Sequence, residues 1–310
     1  MSKRKYGGTI STFEFFERFP DEDSAIYYLE ELRWEDSVYC PYCDSEEITE
    51  LKQFPYFLCK DCRGKFTVRT DSIFERSHVP LHKWLYAMYL LQTARKGISS
   101  LQLSKELGIT QKSAWFLLHR LREACDVQAE RLDGTVEIDE TFVGGKEKNK
   151  HKNKRTGKGR GPVGKTPVIG MKKRDGRLKA FEVTGTDKHT LQGEVLLNVE
   201  EGSTIYTDEW RSYRGLGEWY DHDVIQHSRK QYRKGDAHTN SIESVWAVIK
   251  RGYTGVYHHW SKKHMTRYIN EFVFRLNEGN VYNSTMDRLD ALVQNAIGKR
   301  ITYKELIADE

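Results

Sequence analysis

The chain has 310 residues, with 50 Lys and Arg against 45 Asp and Glu, which gives a net charge of +5. This length is sufficient for two or three domains with hydrophobic cores. The longest apolar runs cover only a few residues and the N-terminal segment is polar, which argues against a membrane span and a signal peptide. We therefore expect a cytoplasmic protein with no membrane partner.

The charge is unevenly distributed along the chain. Residues 1–50 carry five basic and 13 acidic side chains, whereas residues 51–310 have a net charge of +13. Between Lys146 and Lys165, nine basic residues accompany a single acid, Glu147. This stretch lacks the apolar residues needed for a core, so we expect it to be disordered without a partner. It is either a solvated loop or a polyanion-binding segment, and nucleic acid is the leading partner, with Lys146, Lys148 and Lys165 as candidate contacts.

The first predicted element is an amphipathic helix over residues 21–34. Ile26, Leu29 and Leu32 share one of its faces, and acids occupy its first turn, where the helix dipole favours them. Residues 38–70 are rich in turn and β-forming residues, which predicts a small β module.

Four cysteines lie within that β module, as two C-x-x-C pairs. The pairs Cys40/Cys43 and Cys59/Cys62 are separated by 15 residues, a spacing typical of a zinc site built from two knuckles. Four thiolates complete tetrahedral Zn²⁺ with no open position, so the ion would be structural. A redox pair is the alternative, but redox C-x-x-C motifs usually occur singly. We expect one Zn²⁺ per chain in a zinc ribbon, and we expect Cys125 to be a buried small apolar residue.

The next elements, over residues 81–124, have helical periodicity. The pattern predicts two helices joined by a turn at Gly108, with Thr110 capping the second. A helix-turn-helix is one interpretation, with Gln111 and Lys112 placed to contact DNA. An ordinary pair of antiparallel helices is the other.

From Thr135 onward the pattern predicts an α/β domain. Four strands are expected in the segments VEIDETFVGG, KTPVIGMKK, LKAFEVTG and TIYTDEW, with a possible fifth in HDVIQHS. Helices are expected over residues 190–199, 241–250 and 261–277.

Three acids stand out within this domain. Asp139 alternates with the apolar pair Val136 and Ile138, Asp208 ends another predicted strand, and Glu243 lies near the start of a helix. Carboxylates that converge at one edge of a sheet are tolerable only if divalent cations compensate their charge. This pattern is typical of two-metal phosphoryl transfer, although any one of these acids alone is most simply a solvated turn residue.

The ordered set of motifs resembles the DDE transposases of bacterial insertion sequences, in the zinc-ribbon subgroup related to the eukaryotic Merlin transposases. The resemblance covers nearly the whole chain through LRW, CPYC, CKDC, IDETFVGGK, GKTPVIG, YTDEWRSY, HTNSIESVWAVIKRG and YINEFVFRLN. It implies a ribonuclease H-like (retroviral integrase-like) catalytic core preceded by a zinc ribbon and a helix-turn-helix. It also implies that Asp139, Asp208 and Glu243 bind two Mg²⁺ or Mn²⁺ ions per active site.

The resemblance also implies DNA contacts around these acids. Lys250, two helical turns after Glu243, should contact phosphate near the scissile bond, and Arg251 follows it. His238 is a candidate phosphate contact or a structural residue, and Asn240 a candidate DNA contact and helix cap. We expect Trp246 to be a core residue. Trp210 and Arg211 either pack around the site or hold a DNA end.

The function that the resemblance implies is transposition. Such an enzyme binds the terminal inverted repeats of its element, cleaves a strand and transfers it to target DNA, as a homodimer or higher oligomer on double-stranded DNA in the nucleoid. The alternatives are a domesticated zinc-ribbon DNA-binding regulator without catalysis and a structure-selective nuclease of the same fold. The expected organisation is a helical leader (1–37), a zinc ribbon (38–70), a helix-turn-helix region (71–130), a catalytic domain (131–280) with a basic insert (144–166), and a C-terminal tail (281–310).

Overall fold

The chain forms two compact units. The structure is a computed structural model that describes residues 8–52, 54–126, 130–145, 151–155, 162–226, 237–279 and 283–308. The first unit comprises the described residues of Met1–Val127 and of Glu278–Glu310, and the second comprises those of Gln128–Asn277. The predicted disorder of the basic stretch falls largely on residues 146–150 and 156–161, which lie outside the described residues.

Two helices open the first unit, α1 (Thr12–Arg18) and α2 (Glu22–Trp34). Helix α2 confirms the first predicted element, and it begins with a capping box in which Asp21 accepts a hydrogen bond from the Ser24 amide at 2.9 Å. Its residues Ile26 and Leu29 are buried, whereas Leu32 is only half-buried. The chain enters the next module from the buried end of this helix.

The predicted β module is a three-stranded antiparallel sheet made of β1 (Ile48–Glu50), β2 (Phe57–Cys59) and β3 (Lys65–Phe66). The Trp34 ring packs edge-on against Phe57 and Phe66, with centroids 5.3 and 6.0 Å away. The buried Arg33 guanidinium donates to the carbonyl of Val68 at 2.9 Å. Aromatic packing and a hydrogen bond from a charged side chain therefore hold helix α2 against the β module.

Three helices follow, whereas the sequence predicted two. They are α3 (Leu81–Thr93), α4 (Ser100–Leu107) and α5 (Gln111–Ala124). The chain breaks between α3 and α4 because Gly97 takes a φ of +95° and the Ser99 side chain caps a new helix. The predicted turn between α4 and α5 is confirmed: Gly108 is left-handed at φ +63°, and the Thr110 hydroxyl accepts from the Ser113 amide at 3.1 Å.

The end of the chain completes the first unit with two further helices, α9 (Thr285–Gln294) and α10 (Tyr303–Ile307). Helix α9 packs against α2 and α3, burying Leu289, Leu292 and Val293. The amide of Ile73 donates to the carbonyl of Ala296 at 3.0 Å. The segment 283–308, which lies in the predicted C-terminal tail, therefore contributes to the core of this unit.

The second unit is built on a mixed five-stranded sheet. Its strands are β4 (Thr135–Val143), β5 (Thr166–Lys173), β6 (Leu178–Glu182), β7 (Thr204–Asp208) and β8 (Asp221–Ile225). The spatial order is β6-β5-β4-β7-β8, in which β4, β5 and β6 pair antiparallel while β7 pairs parallel with both β4 and β8. The predicted α/β domain is thus present, with β4 at the centre of the sheet.

Helices cover both faces of this sheet. Helix α6 (Lys188–Asn198) packs on the face that carries Val136 and Ile138 of β4, and α7 (Asn240–Gly252) and α8 (Met265–Glu278) pack on the other. Because side chains alternate along a strand, Glu137 and Asp139 point toward the α7 side. Strand β7 pairs with the first residues of β4 and ends at Asp208, so β4 continues past the end of β7.

Candidate active site

Strands β4 and β7 place two of the predicted acids side by side. Asp139 is half-buried on β4, and Asp208 is the last residue of β7, the parallel neighbour of β4. The Asp208 carboxylate accepts a hydrogen bond from the Trp210 amide at 2.9 Å, which fixes its direction at the end of the strand. Two carboxylates therefore meet on adjacent strands.

The third acid comes from the first turn of α7. Glu243 is exposed, and its Oε1 accepts a hydrogen bond from the Thr239 hydroxyl at 3.0 Å. Thr239 is also the residue that precedes the helix, so the predicted cap at Asn240 is wrong: Asn240 is the first helical residue and is exposed. The three acids line one cleft of about 450 Å³, and the residues that share it are Asp139, Glu140, Thr141, Asp208, Thr239, Glu243, Trp246, Ala247 and Lys250.

The electrostatics of the cleft favour a bound cation. Burial, together with the negative charges of Asp208 and Glu243, raises the pKa of Asp139 to about 6. Among the residues that the structure describes, no group of three carboxylates has its oxygens within 4.8 Å of one another, so the cleft is more open than a closed metal cage. Carboxylate oxygens held apart in an open cleft are a donor set suited to hard divalent cations that keep some water ligands.

Trp246 orients the Asp139 carboxylate. The indole is almost fully buried, as predicted for a core residue, and its Nε1 donates to Asp139 Oδ2 at 2.9 Å. Gly170 pairs with Asp139 across β4 and β5, and a Cβ there would lie 2.5 Å from Trp246 Cη2. The glycine on β5 therefore leaves the space that lets the indole reach the acid.

Glu137 is a buried acid that the sequence analysis did not assign. Its side chain is inaccessible to solvent, and Oε2 accepts from the backbone amides of Ser241 at 2.8 Å and Ile242 at 3.2 Å. The alternation of β4 placed it on the Asp139 face, but the helix N-terminus that it meets lies more than 100 residues away in the sequence. Nothing local in the sequence distinguishes it from an exposed strand residue.

Glu140 is a second acid that the sequence analysis did not assign. Burial, together with the charges of Asp208 and Asp139, raises its pKa to about 7, although a hydrogen bond from the buried Tyr213 hydroxyl at 2.6 Å acts in the opposite direction. The cleft thus contains a fourth carboxyl group, held by a tyrosine from the 3₁₀ turn Arg211–Tyr213.

The predicted DNA contacts of the second unit fall into three groups. Lys250 is exposed and lines the cleft together with the three acids. His238 Nδ1 lies 3.2 Å from Glu137 Oε1, which favours the structural alternative for this residue. Residues Asn240, Arg211 and Arg251 are exposed near the cleft but do not line it.

The basic insert leaves and rejoins the sheet at one point. A Cβ on Gly144 would lie 3.2 Å from the Cα of Lys165, so the two ends of the insert are adjacent where β4 and β5 meet. Lys165 is half-buried. The candidate contacts Lys146 and Lys148 lie outside the described residues.

In the first unit, the predicted contacts of the helix-turn-helix lie at the start of α5. Gln111 and Lys112 are both exposed, and the Lys112 ammonium lies 4.6 Å from the centroid of the Tyr303 ring. The exposed N-terminal turn of α5 is compatible with the predicted role, which stays a prediction.

The four cysteines form a candidate metal centre in the first unit. Their sulfurs all lie within 4.8 Å of one another, with Cys40 to Cys62 at 3.6 Å and Cys43 to Cys59 at 3.7 Å. A tetrahedral zinc ion about 2.3 Å from each sulfur requires separations of about 3.8 Å. Hydrogen bonds from backbone amides, that of Cys62 foremost, lower the pKa of the Cys59 thiol to about 7, whereas the pKa values of the other three thiols are raised. The arrangement fits one structural zinc ion.

Hydrogen bonds from backbone amides hold the sulfur atoms of this cluster in place. The Gly64 amide donates to Cys62 Sγ and the Tyr42 amide to Cys40 Sγ, each at 3.4 Å. A Cβ on Gly64 would lie 2.7 Å from the Tyr42 ring, so only glycine fits the second knuckle without movement. Cys125 is buried away from the cluster, as the sequence predicted.

Within the described part of the chain, every helix is too short or too polar to cross a membrane.

Comparison with known proteins gives matches to both units. The profile of the ISXO2-like transposase domain matches residues 131–277, and that of the transposase zinc-ribbon domain matches residues 20–65. A curated relative, the uncharacterized protein in transposable element ISH50 of Halobacterium salinarum, is 30% identical over 271 residues. The alignment covers 83% of this chain and 91% of that protein. The zinc-ribbon match includes helix α2, in agreement with its packing on the β module.

Proposed function

This chain belongs to the family of ISXO2-like transposases that carry a zinc ribbon, and from that premise we propose that it is a metal-dependent DNA transposase. In this proposal it binds the terminal inverted repeats of its own insertion sequence, cleaves a strand at each end and joins the exposed 3′-hydroxyl to target DNA. The observation that carries the proposal is the meeting of Asp139, Asp208 and Glu243 in one cleft with Lys250.

A ribonuclease H-like core, related to retroviral integrases, is part of the proposal. Support comes from the mixed sheet, whose adjacent parallel strands β4 and β7 bring Asp139 and Asp208 into one cleft. Helix α7 crosses the face of that sheet and supplies the third acid.

The three carboxylates would hold two Mg²⁺ or Mn²⁺ ions. The fit rests on the donor set and on the meeting of Asp139 with Asp208 and Glu243 in one cleft, since a group of nearby acids relieves its mutual repulsion by binding cations. Bound in this way, the ions would activate the attacking oxygen and stabilise the leaving oxygen of a phosphodiester.

The side chains of the cleft have distinct proposed tasks. Trp246 keeps the Asp139 carboxylate in one orientation through its indole N–H. Thr239 does the same for Glu243. The Lys250 ammonium, seven residues after Glu243, would neutralise a DNA phosphate next to the scissile bond.

The first unit and the basic insert would provide DNA binding. The zinc ribbon and the start of α5 are the proposed readers of the terminal repeats, and the insert is a proposed clamp on the phosphate backbone. We further propose that the chain acts as a homodimer or higher oligomer on paired DNA ends, in the cytoplasm and in association with the nucleoid.

The test is cleavage of the DNA that flanks the gene. A labelled duplex carrying the flanking inverted repeat is incubated with the zinc-loaded chain and Mg²⁺, with Asp208→Asn as the matched inactive variant. Cleavage at the repeat boundary and joining to a second duplex, both absent with Asp208→Asn and when Mg²⁺ is omitted, support the proposal. Binding without cleavage by the wild type would instead support a DNA-binding regulator, and cutting of branched DNA regardless of sequence would support a structure-selective nuclease.

A further inference from the structure

We propose that Glu137 is a positioning residue for the cleft: it holds the first turn of α7 against β4 and thereby sets the place of Glu243 relative to Asp139. This inference rests on the proposed function, because it gives the contact a role in that reaction.

The Glu137 carboxylate binds the N-terminus of α7 from outside the helix. Oε2 accepts from the amides of Ser241 and Ile242 at 2.8 and 3.2 Å, and Oε1 accepts from the Ser241 hydroxyl at 3.0 Å. These amides belong to the helix start, where donors have no partner within the helix and the dipole favours a negative charge. The strand thus performs the capping that Thr239, the residue before the helix, does not perform.

Positive and polar groups surround the other side of the same carboxylate. The Arg174 Nε lies 3.2 Å from Oε1, and its guanidinium stacks 4.7 Å from the Tyr206 ring centroid on β7. His238 Nδ1 lies 3.2 Å from the same oxygen. A fully buried carboxylate is costly unless such partners surround it. Because the buried Glu137 carboxylate needs all of these partners, a change in this side chain should alter the position of the first turn of α7.

The geometry connects this contact to the acids. Glu137 precedes Asp139 by two residues on the same strand face, and Ser241 precedes Glu243 by two residues on α7. The same two chain segments therefore carry the Glu137–Ser241 contact and the Asp139–Glu243 pair. One turn further along, the bond between Trp246 and Asp139 joins the strand and the helix again. A helix held at two successive turns cannot slide or rotate relative to β4 without breaking one of these bonds.

The test compares Glu137→Gln with Glu271→Gln. Both acids are fully buried in the second unit and both pair with an arginine, but Glu271 lies on α8 and accepts from the Tyr257 hydroxyl, whereas Glu137 accepts from the first turn of α7. Three quantities are measured on zinc-loaded full chains: hydrogen exchange of residues 240–243, Mn²⁺ affinity by calorimetry, and the rate of DNA end cleavage. Thermal unfolding of both variants gives the general loss of stability.

For Glu137→Gln we expect about tenfold faster exchange in the first turn of α7, about fivefold weaker Mn²⁺ binding and about tenfold slower cleavage, since one charged cap is removed. Glu271→Gln should lower the unfolding temperature comparably and change each readout less than about twofold. Ser241→Ala, which retains the buried charge, should give smaller changes in the same direction, and it replaces Glu137→Gln if that variant does not fold.

Two results would overturn the inference. One is unchanged exchange and Mn²⁺ affinity in a folded Glu137→Gln or Ser241→Ala chain. The other is an equal loss in Glu271→Gln, which would mean general destabilisation. If the wild type does not cleave DNA, the proposed function fails, while exchange and Mn²⁺ binding still decide the role of Glu137.

Discussion

The cysteine cluster and the acidic cleft are two candidate metal sites of opposite construction. The four cysteines come from a segment of 23 residues, and two short turns with their own backbone hydrogen bonds bring the sulfurs within 4.8 Å of one another. The three acids come from β4, β7 and α7, which are spread over more than 100 residues, and they line an open cleft. The closed cluster suits an ion that stabilises a fold, and the open cleft suits ions that must also contact a substrate.

The cysteine cluster and the acidic cleft depend to different extents on the residues around them. Each zinc knuckle depends mainly on the residues of its own turn. One example is Gly64, where the missing Cβ leaves space for the Tyr42 ring. The cleft needs residues that bind no metal, namely Glu137, Trp246 and Gly170, because separate elements must be held in register.

The largest expected effect is the loss of a cleft acid. Asp139→Ala, Asp208→Ala and Glu243→Ala should each lower cleavage and joining by about 10³-fold or more, about 4 kcal/mol in activation free energy, with DNA affinity largely unchanged. Gel-based cleavage and binding assays measure both, with the exposed Glu218→Ala as the control. Near-normal activity of any one variant with Mg²⁺ would remove that residue from the metal site.

Loss of a cluster cysteine should act through folding instead of chemistry. Cys40→Ser or Cys62→Ser should release zinc, unfold residues 38–70 and weaken end recognition about 100-fold. Zinc analysis and binding to the terminal repeat test this, with the buried Cys125→Ser retaining one zinc per chain as the control. A metal-free module that stays folded would contradict a structural zinc site.

The basic insert should contribute a smaller, sequence-independent part of the affinity. Replacing Lys146, Lys148, Lys150 and Lys152 by Gln should weaken binding about tenfold and reduce the slope of log K against log salt by about 0.9 for each phosphate that the insert no longer neutralises. The slopes are measured on specific and random duplexes. Slopes equal to those of the wild type would reject a clamp, and a change confined to the specific duplex would mean that the insert reads sequence.

The smallest expected effect concerns Gly170, the residue that leaves space for the Trp246 ring. Gly170→Ala should displace the Trp246 ring from Asp139 and lower the cleavage rate about threefold to tenfold, since it disturbs one hydrogen bond to the acid. Gly193→Ala on α6 is the matched control, because its added Cβ meets no atom within 4 Å. Equal activity of the two variants would show that the indole does not orient Asp139.

Local patterns in the sequence predicted the zinc knuckles, helix α2, the turn at Gly108 and the strands of the second unit. The residues that were missed depend on long-range contacts: Glu137 looks like any polar strand residue until α7 is placed on β4, and the hydrogen bond of Trp246 requires the glycine on β5. Helices α1 and α9 are different, since both begin with capping boxes, at Ser11 and Ser284, that were readable in the sequence. Their short length made them easy to overlook.

The return of the chain to the first unit after residue 277 has a consequence for synthesis. The second unit is continuous, so all of it emerges from the ribosome before α9 and α10 are made. The first unit begins the chain but receives the last part of its core at the end, when Leu289, Leu292 and Val293 pack against α2 and α3. A gene copy interrupted after residue 277 therefore encodes all three acids on a protein whose first unit lacks part of its core.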